Sequence, residues 1–168
     1  MEYLYCPNCR TELIEKKLDG ILRKKCPQCE FIYYRNPTPA AGVILENDGK
    51  ILLVKRKYEP KSGHWSLPAG FIEYEEDARE TAVRETKEET GLDIKIKELL
   101  NVYGSCDDPR SRVVLVIYVA SLLGGNIKPG DDAMDAKYFS VEKLPANIAF
   151  SSHRSAIEHY LNLKRGKK

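Results

Sequence analysis

Apolar positions cluster into short runs along most of the chain and into a helical stripe in two places. Ala40 to Leu45 and Ile51 to Arg56 are mostly aliphatic and flank Asn47-Asp48-Gly49, so they predict a hairpin. Lys57 to Gly63 is a polar loop, and Trp65 to Phe71 a short apolar strand. Asp77 to Thr90 predicts a helix, closed by Gly91 just past its end. The helix's apolar positions (Ala82, Val83 and Thr86) are small, which suits close packing on a sheet with the acidic side left open. Leu92 to Val102 and Val113 to Leu123 predict two further strands, with a loop over Asp107 to Arg112 and a break at Gly124-Gly125. Ala136 to Phe139 is a short strand. Phe150 to Leu163 predicts a second helix, capped by Ser151 or Ser152 and burying Ala156, Ile157, Tyr160, Leu161 and Leu163. Strands dominate and the helices fall at two separate points, so the fold class is α+β. There is no internal repeat and no low-complexity segment.

The first part of the chain is organised by cysteine. Cys6-Pro-Asn-Cys9 and Cys26-Pro-Gln-Cys29 form two Cys-x-x-Cys pairs, and the segment between them alternates weakly around Asp19-Gly20, a two-residue hairpin signal. Two such pairs can close a tetrahedron on Zn²⁺, so residues 1–34 read as a zinc ribbon and 35–168 as the main domain. Four protein ligands leave no open position, which makes the zinc structural. A segment this short has little core of its own, and metal would fold it. Two disulfides or a redox motif are the alternatives. A reducing compartment disfavours the first, and the absence of a βαβ context disfavours the second. The ribbon ends near Ile32, and Tyr33 to Pro39 reads as an extended linker. Cys106 is left over and reads as a buried or half-buried thiol.

Composition narrows the setting. With 42% hydrophobic and 31% charged residues, the 168-residue chain can bury a core under a well-charged surface. No apolar run approaches the roughly 20 residues that span a bilayer. Met1 to Cys6 lacks the basic and apolar regions of a secretory leader, so a cytoplasmic location is expected. A formal net charge of +2 does not by itself argue for nucleic acid, and the terminal Lys164 to Lys168 reads as a solvated end.

Residues 70 to 92 carry the chemistry. Glu85, Glu88 and Glu89 share one face of the predicted helix and repel unless a cation lies between them. Charge alone is equally satisfied by a solvated face with Glu80–Arg84 and Arg84–Glu88 pairs. The wider pattern is more particular. Gly70, five residues, Glu76, seven residues, then Arg84-Glu85-Thr86-Lys87-Glu88-Glu89-Thr90-Gly91-Leu92 resembles the signature of the Nudix hydrolases. Thr86 stands where that family has an aliphatic residue, a small departure in volume. The resemblance implies an α/β/α sandwich on a mixed sheet and metal-dependent attack of water on a pyrophosphate linkage. It also implies that Glu85, Glu88, Glu89 and the Gly70 carbonyl hold catalytic Mg²⁺ or Mn²⁺, with Glu85 nearest the water. Arg84 would complete the set by pairing with Glu76 or Glu88, and Lys87 would face solvent.

Outside the signature, Arg56 is a candidate for phosphate, Arg110 of Asp108-Pro109-Arg110 for ribose or phosphate, and Tyr34 (with Tyr33 and Phe31) for stacking on adenine. Trp65 reads as core. His64, His153 and His159 read as surface or capping residues. A zinc ribbon before this domain is similar to ADP-ribose and FAD pyrophosphatases, and to NADH pyrophosphatases that also remove NAD caps from RNA. The latter carry Ser-Gln-Pro-Trp-Pro-Phe-Pro after the signature. Leu99 to Arg112 here lacks it, which favours ADP-ribose, FAD or a related nucleotide derivative. The resemblance further implies a homodimer. A non-catalytic nucleotide sensor or nucleic-acid-binding module is the rival reading, disfavoured because every signature carboxylate is present.

Overall fold

A computed structural model describes residues 3–108, 111–130 and 132–166. The chain divides into two compact units, the first ending at Pro37 and the second beginning at Thr38. The first unit holds β1 (Ile14–Leu18), β2 (Ile21–Lys25) and β3 (Ile32–Tyr33) in one antiparallel sheet. The hairpin between β1 and β2 turns at Asp19 and Gly20, with φ of 49° and 81°. Positive φ at both positions is what a type I′ turn requires, and glycine meets it without strain. β3 extends the ribbon past the sequence reading: Tyr33, read as the start of the linker, pairs with Lys24, beside Ile32 on Lys25. Cys6, Leu13 and Cys26 form the buried centre, flanked by Cys29, Phe31 and Tyr33.

The second unit is built on one mixed sheet. β4 (Thr38–Asn47) and β5 (Lys50–Arg56) form the expected hairpin through Asp48 and Gly49. Two short strands follow, β6 (Trp65–Ser66) on β5 and β7 (Ala69–Phe71) on β4. The single strand expected there breaks because Pro68 supplies no ladder N–H, and the chain changes partner across it. α1 (Ala78–Thr90) leads to β8 (Leu92–Asp108), β9 (Ser111–Gly125), β10 (Ala133–Ser140) and α2 (Ser151–Gly166). The strand order is β10-β5-β4-β9-β8, with β4 and β9 parallel and the other pairs antiparallel. β8 and β9 pair as far as Asp108 and Ser111, so the described residues of the expected Asp107–Arg112 loop belong to the two strands. Cys106, expected to be buried or half-buried, is exposed on β8.

Both faces of this sheet are covered. Ile44, Ile51, Leu53, Leu115 and Ile117 pack with Ala156 and Ile157 of α2. The alternate residues Val43, Leu45, Leu52, Tyr118 and Ala120 pack with Ala82 of α1. Burial on both faces explains why β4 and β5 read as continuous apolar runs. Trp65 is core as expected, its ring edge-on to Phe139 at 4.7 Å. α1 begins with a capping box. Asp77 accepts from the amides of Arg79 and Glu80, and the Glu80 carboxylate accepts from the Asp77 amide. Gly91, at φ 75°, closes it.

Candidate functional site

The loop from β7 into α1 and the helix itself are locked together by Arg84. Its Nε and Nη2 donate to the two oxygens of Glu76 at 2.5 and 2.8 Å. Nη1 donates to Glu85 Oε1 at 2.8 Å and Glu88 Oε2 at 2.9 Å, and Nη2 to the Phe71 carbonyl at 3.2 Å. A planar guanidinium is suited to such a fork. The sequence expectation was Glu76 or Glu88; Arg84 takes both and Glu85 as well. Bonding from Arg84, joined by the Thr81 hydroxyl at 2.7 Å, lowers the Glu76 pKa to about 2. Thr86, the departure from the family pattern, is fully buried with its hydroxyl donating to the Ala82 carbonyl at 2.7 Å. The added hydroxyl is therefore satisfied within the helix. Lys87 is at the surface, paired with Asp93 at 2.8 Å.

The three glutamates sit in different environments. Glu88 is the most open, at 43% side-chain exposure, and Glu85 has 12%. Glu89 is only 3% exposed, and its Oε2 accepts from the Ala69 amide at 3.0 Å. Burial pushes the Glu89 pKa well above the ordinary carboxylate range. Asp132 and Glu85 add repulsion, which Ala69 N–H and Arg56 only partly offset. Burial also raises Glu85, against the pull of Arg84. Gly70 lies directly against this cluster: a Cβ there would stand 2.0 Å from Glu85 Cδ. Only glycine lets the β7 backbone approach the carboxylate so closely.

Gly70, Glu85 and Asp132 line one cavity of about 420 Å³ with Arg56, Phe71, Asp108, Phe150 and His153. That volume lies in the range of small-molecule sites. Arg56, on the end of β5, donates from Nε to the Pro60 carbonyl at 2.9 Å, with its guanidinium 5.1 Å from the centre of the Phe150 ring. Arg110 lies outside the described residues. Tyr34 belongs to the first unit, 55% exposed, with the Arg23 guanidinium 4.7 Å from its ring centre.

Sequence reasoning missed Asp132, His153 and Asp107. Asp132 precedes β10, and its carbonyl accepts from the Lys57 amide at 2.8 Å. His153 is buried in α2, not at the surface, and its Nδ1 accepts from the Leu67 amide at 3.1 Å. His159 is half-buried and bonded to Tyr103 Oη at 2.9 Å. Asp107 at the end of β8 accepts from the Ser151 amide at 3.0 Å and hydroxyl at 2.8 Å, so α2 is capped from a distant strand. Such contacts are made by topology and leave no local signal.

In the first unit, the sulfurs of Cys6, Cys9, Cys26 and Cys29 all lie within 4.8 Å of one another. The separations Cys6–Cys29, Cys9–Cys26 and Cys9–Cys29 are 3.6, 3.5 and 3.9 Å. These are far beyond a disulfide bond of about 2.05 Å. They match the roughly 3.8 Å edge of a tetrahedron with about 2.3 Å metal–sulfur bonds. The Gln28 amide also points to Cys26 Sγ at 3.4 Å.

Comparison with known proteins agrees with this geometry. An ADP-ribose pyrophosphatase from Methanocaldococcus jannaschii is 42% identical over 155 residues, covering 92% of this chain and 90% of that protein. NAD-capped RNA hydrolase NudC from Vibrio atlanticus is 31% identical over 84% of this chain, which spans only 51% of that longer protein. The crystal structure of a NUDIX hydrolase from Nitrosomonas europaea superimposes with a TM-score of 0.85 at 33% identity, covering 98% of this chain and 93% of that one. The NUDIX domain family matches residues 36–160. With Glu85 against Gly70, Glu89 bonded to Ala69, and a mixed sheet between two helices, the chain belongs to the Nudix hydrolase family.

Proposed function

We propose that this hydrolase cleaves the pyrophosphate linkage of ADP-ribose, or of a similar nucleoside diphosphate derivative such as FAD. The observation that carries the reading is the cluster of Glu85 and Asp132 beside Gly70 on the cavity wall, with buried Glu89 in contact by charge. These carboxylates repel one another, and burial adds to the cost of their charge. A divalent cation supplies the missing positive charge, and oxygen donors suit Mg²⁺ or Mn²⁺. Glu85, Glu88, Glu89 and the Gly70 carbonyl would hold it. Bound there, it would neutralise phosphate oxygens and acidify the attacking water.

The chain's own groups do the rest. Arg84 fixes Glu85 through Oε1 and leaves Oε2 to take the proton of the water. The Ala69 amide fixes Glu89 in the same way. Arg56, anchored through Nε, presents its remaining N–H groups to phosphate across the cavity. The ADP-ribose assignment draws on the Methanocaldococcus relative, which matches along most of both chains. The four cysteines would hold structural Zn²⁺. The same reading includes a homodimer in the cytoplasm; exposed Leu99 and Val102 on edge strand β8 support a second copy there. None of the helices among the described residues is long and apolar enough to cross a membrane.

The test is a panel of ADP-ribose, FAD, NADH and NAD-capped RNA, with and without Mg²⁺, read by mononucleotide release. Metal-dependent turnover fastest on ADP-ribose is expected. Equal rates without metal, or preference for capped RNA, would overturn the assignment. Glu89→Gln should cut turnover by about 100-fold or more while leaving the fold intact.

A further inference from the structure

One buried titratable group in the cavity wall takes no part in the chemistry above. His153 is 7% exposed, and its ring is fixed by the Leu67 amide, which donates to Nδ1 at 3.1 Å. An imidazole that accepts at Nδ1 and is neutral carries its proton on Nε2. Burial keeps it neutral, lowering its pKa to about 4, and the nearby Arg56 charge acts in the same direction.

Among the described residues, Nε2 has no hydrogen-bond partner. It is not sealed in the interior either: among the described residues, the one buried side-chain polar atom without a partner is Tyr138 Oη. The open edge of the ring therefore faces the cavity that His153 lines. Arg56 lines the same cavity, and its charge acts on both His153 and Glu89. Among the described residues, Arg56 is the one positive charge on this wall, and it shares the wall with the neutral His153 N–H beside the acidic cluster. Neither group accepts a hydrogen bond there. The pair fits an acceptor-only partner, as the oxygens of a diphosphate are, better than a nucleobase edge, which presents donors as well as acceptors.

We propose that His153 positions the substrate, donating from Nε2–H to an oxygen of the diphosphate while the Leu67 amide holds the tautomer. The proposal rests on the reading of this cavity as the diphosphate site.

The direct test uses the ¹⁵N-labelled full-length wild-type protein and an ADP-ribose analogue with a methylene in place of the bridging oxygen. The His153 ring, assigned by its loss in His153→Gln, should show the Nε2–H tautomer, and its Nε2 resonances should shift as the analogue saturates. An Nδ1–H tautomer, or no shift at saturation, overturns the proposal. Kinetics add a second readout. His153→Leu should raise KM for ADP-ribose by about 10- to 100-fold, with a smaller change in kcat. His153→Gln should recover most of the loss, because one amide can accept from Leu67 and still donate to the cavity. A folded His153→Leu with wild-type KM refutes the role. If His153→Leu does not fold, the Gln variant and the wild-type spectra decide. A wild-type protein that binds the analogue at His153 but hydrolyses no diphosphate would overturn the proposed reaction and leave this contact standing.

Discussion

Gly70→Ala separates the architecture of the site from the stability of the fold. The added Cβ would stand 2.0 Å from Glu85 Cδ and Oε1, and 2.4 Å from Oε2. Real Cβ atoms do not tolerate such distances, so something must move. The obstructing atoms are the far end of a flexible side chain, and the carboxylate can swing away from β7. Overpacking of a rigid core costs about 1–3 kcal/mol, and this site belongs at the low end, about 1 kcal/mol. For a chain of this size that lowers Tm by about 2–4 °C. The catalytic consequence is far larger. Glu85 leaves its place beside Gly70 and strains the 2.8 Å bond from Arg84 Nη1. A misplacement of about 1 Å at a reacting centre costs on the order of 100-fold in rate. Thermal unfolding by circular dichroism and steady-state turnover of ADP-ribose with Mg²⁺ read the two effects separately. A kcat within about threefold of wild type would refute the close Gly70–Glu85 approach as the feature that shapes the site. A loss of Tm well beyond the stated range would show that Gly70 acts through the fold.

Two further outcomes follow from the electrostatics and from the ribbon. Bonding from Arg84 holds Glu76 at a pKa of about 2 in the folded protein, against an ordinary 4.5. A depressed carboxylate contributes stability that is complete above the unfolded pKa and lost as pH falls through the folded one. Urea unfolding of the wild type should therefore weaken more steeply than that of Glu76→Gln as pH falls from 4.5 to about 2, and parallel curves would contradict the bond. Native mass spectrometry should find one zinc per chain. Chelation should open residues up to Pro37 to protease while Thr38 onward stays protected, and an unchanged digestion pattern after verified removal would contradict a structural metal.

The parts of this molecule that were legible in the sequence are those whose contacts are local. Helix α1 has its cap residue, capping-box partner and closing glycine within its own segment, and its glutamates share a face by helical period alone. The ribbon hairpin is equally local, because Asp19-Gly20 sets the turn and the turn sets the register. Pro68 was a visible signal for the break between β6 and β7, outweighed by the apolar residues around it. Both strands of the β8–β9 hairpin were visible, but their full length was not. Asp107, Asp108, Ser111 and Arg112 read as loop but belong to the strands, with Asp108 paired to Ser111.

The cavity wall shows the same division. Glu85 and Gly70 come from the signature, but Arg56, Asp132 and His153 come from β5, the approach to β10, and α2. Sheet order brings β10 beside β5, and α2 packs its Ala156 and Ile157 against the sheet. No spacing rule connects Leu67 to His153, or Asp107 to Ser151; those bonds exist because distant elements meet. The consequence is functional as well as predictive. The residues proposed to hold the metal sit in one segment, from Gly70 on β7 to Glu89 on α1, while those proposed to meet the rest of the substrate sit on separate elements. Substitutions in α2 or in the approach to β10 can therefore change which diphosphate is accepted while the signature, and the reaction it performs, stays intact.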